Sequence, residues 1–196
     1  MNSKVGGATL GIGLIVLFFL ALVFVPPLFQ TKSHQIPLET SSKVEQSVPL
    51  DFIFTEIELS DRIVKLKGKV SLKDLFKETG AEQILLNLWA SWCPPCIEEM
   101  PSLEKLHHQL RSSRSLTYVV GVNVDEGKAE IAGLIKTLPY SLRFRNLWDS
   151  KGEFAALMGT SRFPESYLIG SDGRIKRKWI GPQNWLSEKI LQYFTQ

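Results

Sequence analysis

The alternation of apolar and polar positions divides the chain into three stretches. Residues 5 to 31 contain no ionisable side chain. The 21 residues from Val5 to Val25 would span about 31 Å as a helix, close to the roughly 30 Å hydrocarbon core of a bilayer. The densest part, Leu14 to Val25, would also suit the core of a secretory signal peptide. However, Pro26, Pro27 and Leu28 follow it, with no small-residue cleavage pair and no lipid-accepting cysteine. The expectation is an uncleaved N-terminal transmembrane helix within residues 1–29, ended by the two prolines. Lys4 on one side and Lys32 and Lys43 on the other leave its orientation open. Gly7 and Gly11 have the spacing of a helix-pairing face, although glycine is common in membrane spans generally. Residues 30–48 are mostly polar, without helical or strand period, and read as a flexible tether.

From residue 49 to 196 the pattern is globular. Phe52, Phe54, Ile57 and Leu59, then Ile63, Val64 and Leu66, predict a hairpin turning near Ser60 and Asp61. Leu72, Leu75 and Phe76 predict a short helix that stops at Gly80. Ile84 to Trp89 is a near-continuous apolar run, as expected of a strand buried on both faces. A helix from about Pro95 follows, with Ile97, Met100, Leu103, Leu106 and Leu110 on one stripe. Thr117 to Val124 predicts a second buried strand, Ile131, Leu134 and Ile135 a helix, and Phe144 to Leu147 a short strand. Phe154, Leu157 and Met158 mark a helix ending at Gly159. Ser166 to Ile169 and Ile175 to Ile180 read as a hairpin through Ser171-Asp172-Gly173. A closing helix is expected to hold Trp185, Leu186, Ile190, Leu191 and Phe194. Trp148, Trp179 and Trp185 read as core. The sum is an α/β fold with helices around a mixed sheet.

Composition narrows this only a little. With 196 residues, 44% hydrophobic, and 14 glycines, the chain is ordinary for a globular protein, which excludes low-complexity and collagen-like classes. A net charge of +3, from 23 basic and 20 acidic residues, does not argue for nucleic acid, and no nucleic-acid partner is expected. The run Arg174, Lys176, Arg177, Lys178 falls on a predicted edge strand, where lysine blocks edge-to-edge pairing. Two cysteines exclude a scaffold of several disulfides.

The chemistry sits at Trp92-Cys93-Pro94-Pro95-Cys96, where a strand hands over to a helix. Residues i and i+3 of a first helical turn face the same way, so the two sulfurs can reach bonding distance. Pro95 suits the first helical position, which needs no N–H. Cys93 then lies at the positive end of the helix dipole, which favours thiolate over thiol. The pair reads as a redox nucleophile with a resolving partner one turn away. A zinc site would need further ligands. His107 and His108 lie 11 and 12 residues past Cys96 on the same predicted helix, about 16–18 Å away, and His34 is in the tether. Covalent haem attachment would need histidine where Ile97 stands. A purely structural loop of two residues would constrain the unfolded chain very little. No metal and no cofactor beyond the redox-active Cys93–Cys96 pair is expected.

The stretch Asn87 to Cys96, with Pro101 five residues on, resembles the thioredoxin superfamily. More narrowly it resembles the membrane-anchored TlpA/ResA/CcmG branch of extracytoplasmic thiol–disulfide oxidoreductases. Glu99, the Glu130–Leu147 helix-strand segment, Phe163-Pro164-Glu165 and Asp172-Gly173 fit that branch, and the likeness runs from about Phe52 to the C-terminus. It implies a thioredoxin fold with a helix-strand insertion, tethered on the periplasmic side of the cytoplasmic membrane. Residue by residue, it makes Cys93 the attacking thiol, Cys96 the resolving one, and Pro164 a cis-proline beside them. Phe163 is bulkier than the residue usual there. Trp92, Pro94, Pro95, Phe163 and Pro164 would form the client-binding surface. Asn87 stands where cytoplasmic thioredoxins have a buried aspartate, so that base is absent. Glu99 matches an active-site glutamate and could take the Cys96 proton; alternatively, Glu98 and Glu99 simply favour a helix N-terminus. The implied partners are proteins with cysteine pairs, apocytochrome c among them, and an upstream membrane electron donor. Three functions remain open: a reductase of protein disulfides, a disulfide-forming oxidant, and a redox-inert docking module.

Overall fold

The computed structural model describes residues 47–60 and 62–194. The expected transmembrane helix and most of the expected tether lie outside these residues, as does Asp61 in the first hairpin turn. Among the described residues, no helix is long and apolar enough to cross a membrane.

The elements are β1 (Ile53–Ser60), β2 (Ile63–Ser71), α1 (Leu72–Thr79), β3 (Gln83–Trp89), α2 (Pro94–Ser112), β4 (Thr117–Asn123), α3 (Lys128–Thr137), β5 (Arg145–Trp148), α4 (Glu153–Leu157), β6 (Glu165–Gly170), β7 (Ile175–Ile180) and α5 (Glu188–Leu191). They build one seven-stranded sheet in the order β2-β1-β5-β4-β3-β6-β7. Strands β3, β4 and β5 run parallel, while β1 and β6 join them antiparallel and β2 and β7 form the edges. This is the α/β architecture with a mixed sheet that the pattern predicted, in the thioredoxin-like form that the resemblance implied.

Side-chain alternation along the central strands divides the core. Leu85 and Trp89 of β3 and Val119 of β4 face α2 and α3, meeting Met100, Leu103, Leu106, Leu110, Ile131 and Ile135. Ile84, Leu86 and Leu88, with Val120 and Val122, face the other way onto Leu72, Leu75 and Phe76 of α1 and Phe154 of α4. Burial on both faces is why Ile84–Trp89 reads as an unbroken apolar run. Ser71 caps α1 in a reciprocal box with Asp74, and Gly80 ends it at φ 65°, a left-handed conformation that glycine adopts without penalty. Ser47 bridges Arg174, and the Val48 amide donates to the Gly173 carbonyl.

Two expectations change. The closing helix is a single turn, Glu188–Leu191, and Trp185 and Leu186 precede it in irregular backbone. Contacts to α2, described below, hold that segment in place of helical hydrogen bonds. Trp185 is fully buried as expected, whereas Trp148 and Trp179 are only half-buried. In the basic run, Lys178 is half-buried and ion-paired with the buried Glu165. The Arg177 guanidinium lies over the Tyr193 ring at 4.1 Å. The run lies on the edge strand β7, as expected, and these two side chains each have a partner besides.

Candidate active site

Cys93 and Cys96 form a disulfide at the carboxyl end of β3, with Cα atoms 5.3 Å apart. The helix starts one residue earlier than the sequence suggests. Cys93 is the N-cap and Pro94 the first helical residue, because the Cys93 sulfur itself accepts the Cys96 amide at 3.3 Å. Both prolines still fall in the first turn, where a missing N–H leaves nothing unpaired. The sulfur thus lies at the positive end of a 19-residue helix, where the Cys96 amide donates to it. Both cysteines are buried, but Trp92 beside them is 61% exposed. Its ring meets Phe163 edge-on at 5.7 Å, and Phe163 packs against the cluster that contains the two sulfurs. The Phe163–Pro164 bond is cis. Trp92, Phe163 and the CxxC are therefore brought together from segments some 70 residues apart in sequence.

Glu99 does not lie on a solvated face. It is 4% exposed, whereas Glu98 next to it points outward. Asn87 of β3 donates to its Oε1 at 2.7 Å. The Gln183 amide and the Trp185 indole N–H donate to its Oε2 at 2.8 and 3.2 Å. Burial pushes the Glu99 carboxyl up to about 7, and these three donors pull against that rise. Asn87 also donates to Ser166 on β6 at 2.8 Å. Position 87 thus holds an amide in place of an acid, and that amide serves the acid one strand-to-helix connection away.

A second buried carboxylate supports the loop before the disulfide. Asp125, just beyond β4, accepts the Ser91 amide at 2.9 Å, the Ser91 hydroxyl at 2.9 Å and the Asn123 amide group at 2.6 Å. Trp148 donates its indole N–H to the Asp125 carbonyl at 2.6 Å. The sequence reading missed Asp125, Gln183 and the polar role of Trp185. Asp125 left one usable signal: an acid directly past the carboxyl end of a parallel strand, where sites on such sheets gather. On the opposite face of β6, Glu165 accepts the Tyr167 hydroxyl at 3.0 Å and pairs with Lys178.

A disulfide between cysteines three apart, at a helix N-terminus on a thioredoxin fold, is equipped for exchange between dithiol and disulfide, the chemistry of the thiol–disulfide oxidoreductases. The chain belongs to the AhpC/TSA family, whose model matches residues 53–178. It is 30% identical to the thiol-disulfide oxidoreductase ResA of Bacillus thuringiensis subsp. konkukian over 135 residues, 68% of this chain and 72% of that one. It is 29% identical to the thiol:disulfide interchange protein DsbE of Vibrio cholerae over 97% of both chains. The crystal structure of StoA from Bacillus subtilis shares the fold with a TM-score of 0.55 at 24% identity, covering 77% of this chain and 100% of that one. The protein is a thiol–disulfide oxidoreductase of the ResA/DsbE type.

Proposed function

We propose that the protein is a membrane-tethered, extracytoplasmic reductase of protein disulfides, acting in cytochrome c maturation. The observation that carries this reading is Glu99, a buried carboxylate one helical turn from Cys96 whose proton affinity lies near neutrality. In the reduced protein, the Cys93 thiolate attacks one sulfur of a client disulfide and expels the other as a client thiolate. Glu99 takes the Cys96 proton, directly or through one water. The Cys96 sulfur then attacks Cys93 Sγ, closing the Cys93–Cys96 bond and releasing the second client thiolate, which solvent protonates. Two electrons pass to the client, and an upstream membrane dithiol restores the pair.

Glu99 also argues for direction. Strong oxidants of this fold owe their power to a stabilised reduced form. An ionised carboxylate one turn from a thiolate repels it and so disfavours the reduced form. The tether rests on the uncharged stretch of residues 5 to 31 and on the length of the likeness to the Vibrio cholerae protein. The site fits a peptide client: Trp92 and Phe163 offer exposed aromatic surface beside Pro164.

Glu99→Gln tests the role of the carboxylate. The variant is expected to keep its fold and to resolve a preformed mixed disulfide about a hundredfold more slowly at pH 7, measured by stopped-flow release of a thiol reporter. Unchanged kinetics with unchanged stability would remove Glu99 from the mechanism.

A further inference from the structure

We infer that Trp185 is a positioning residue for the exchange reaction: its indole N–H fixes the Glu99 carboxylate and sets the pH at which the resolving thiol loses its proton. The inference rests on the proposed role of Glu99 as proton acceptor.

The geometry gives Glu99 Oε2 two donors, the Gln183 amide at 2.8 Å and the Trp185 indole at 3.2 Å. Both arrive from the segment between β7 and α5, more than 80 residues away in sequence. That occupies the two lone-pair directions of Oε2. It holds the carboxylate plane and leaves Oε1, with Asn87 alone, as the less committed oxygen. The segment is fastened to α2 a second time. The Ser102 hydroxyl accepts the Trp185 backbone amide at 3.3 Å and lies 3.4 Å from the Gln183 carbonyl. The indole cannot swing aside: it is fully buried and meets Trp179 edge-on at 5.5 Å, and Trp179 in turn meets Tyr193 at 5.8 Å. A buried indole N–H needs an acceptor, and here that acceptor is the Glu99 carboxylate.

No charged side chain is among the groups that set the proton affinity of Glu99. From β3 it meets the neutral Asn87, with Ser166 of β6 behind, and from the loop Gln183 and Trp185. On its own helix the titratable neighbours are the exposed Glu98 and the two cysteines, which titrate once reduced. Removing an N–H that donates to the carboxylate therefore weakens its ionised form without an opposing change in local charge.

Two replacements separate the hydrogen bond from the packing. One is Trp185→Phe; the other is site-specific incorporation of benzothienylalanine at position 185, which keeps the bicyclic ring but carries sulfur in place of N–H. The readouts are the pH titration of the Glu99 side-chain carboxyl carbon by NMR in the oxidised protein, and the pH profile of mixed-disulfide resolution. Both midpoints are expected to move upward together by about one pH unit, a tenfold loss of acidity. On a Glu99→Gln background, Trp185→Phe is expected to leave the kinetic profile where Glu99→Gln put it. Unmoved midpoints in the benzothienylalanine protein, with normal dependence of resolution on Glu99, would overturn this inference alone. A Glu99→Gln protein that resolves normally would overturn both the acceptor role of Glu99 and the inference built on it.

Discussion

A Cys96→Ser protein is expected to accumulate as a covalent adduct with its clients, while Cys93→Ser forms none. In the wild type the Cys96 sulfur, proposed to resolve the adduct, is held one helical turn behind Cys93, and its effective concentration exceeds that of any thiol in solution by orders of magnitude. With serine at position 96, only external thiols can release the client, so the lifetime of the adduct is expected to lengthen on the order of a thousandfold or more. Cys96 is only 1% exposed, so the hydroxyl occupies a site that already excludes solvent, and the fold has little reason to change. Non-reducing electrophoresis of membranes from cells expressing the variant reads the result. The proposed function predicts adducts with exported proteins that carry paired cysteines, haem-binding CxxCH proteins among them. Adducts through Cys96 in a Cys93→Ser protein would reverse the assignment of the two thiols.

The second large effect concerns stability against pH, where two buried groups oppose each other. Glu99 keeps its proton up to about pH 7 in the folded protein, against 4.5 for an ordinary glutamate. The folded state therefore carries the extra proton between these values, and stability falls as pH rises through that window. His107, packed edge-on to Tyr118 and Phe144 with its Nδ1 unpartnered, is pushed down to about 4 from 6.5, by burial first and then by Arg111 and His108. For His107 the unfolded chain carries the extra proton, so stability falls as pH drops from 6.5 to 4. Each window is worth about 3 kcal/mol. The two slopes cancel between 4.5 and 6.5, so this pair adds no net slope to the wild type there. Glu99→Gln leaves the histidine alone, and stability should then rise by about 3 kcal/mol from pH 4 to 6.5. His107→Leu leaves the glutamate alone, and stability should fall by a similar amount from pH 4.5 to 7. Urea unfolding of the disulfide-intact proteins at intervals of half a pH unit measures all three. Other carboxylates contribute equally to each protein and drop out of the differences. Parallel curves for the three proteins would show that neither group is held as described.

These two groups show where the sequence was legible and where it was not. Local chemistry could be read directly. The buried strand ending at Trp89, the CxxC at a strand-to-helix junction and the apolar stripe of α2 all follow from spacing and side-chain type, and the structure places them within a residue or two. The second hairpin was legible for the same reason. What could not be read was set by contacts between distant segments. Spacing placed Glu99 on the active-site helix, but its burial depends on Gln183 and Trp185, which no periodicity ties to it. The same contacts explain the failed closing helix. Leu186 and Ile190 have helical spacing and Trp185 adjoins them, yet the Trp185 backbone and indole are committed to Ser102 and Glu99. Lys178 lies on an edge strand as expected, but its partner, Glu165, lies across a hairpin register that charge patterning alone does not specify. His107, four residues past Leu103 and three before Leu110, falls on the recognised stripe of its helix, but the sequence reading weighs it only as a metal ligand.

The reduction potential of the Cys93–Cys96 couple tests the central claim most directly. It can be measured by equilibrating the protein with glutathione or dithiothreitol buffers at pH 7 and counting free thiols. A reductase with a buried carboxylate beside its thiols is expected to lie well below the roughly −120 mV of a DsbA-like oxidant, in the region of about −200 mV or lower, and to rise when Glu99 is replaced by glutamine. A value near −120 mV, unmoved by Glu99→Gln, would contradict it and make the protein a donor of disulfides.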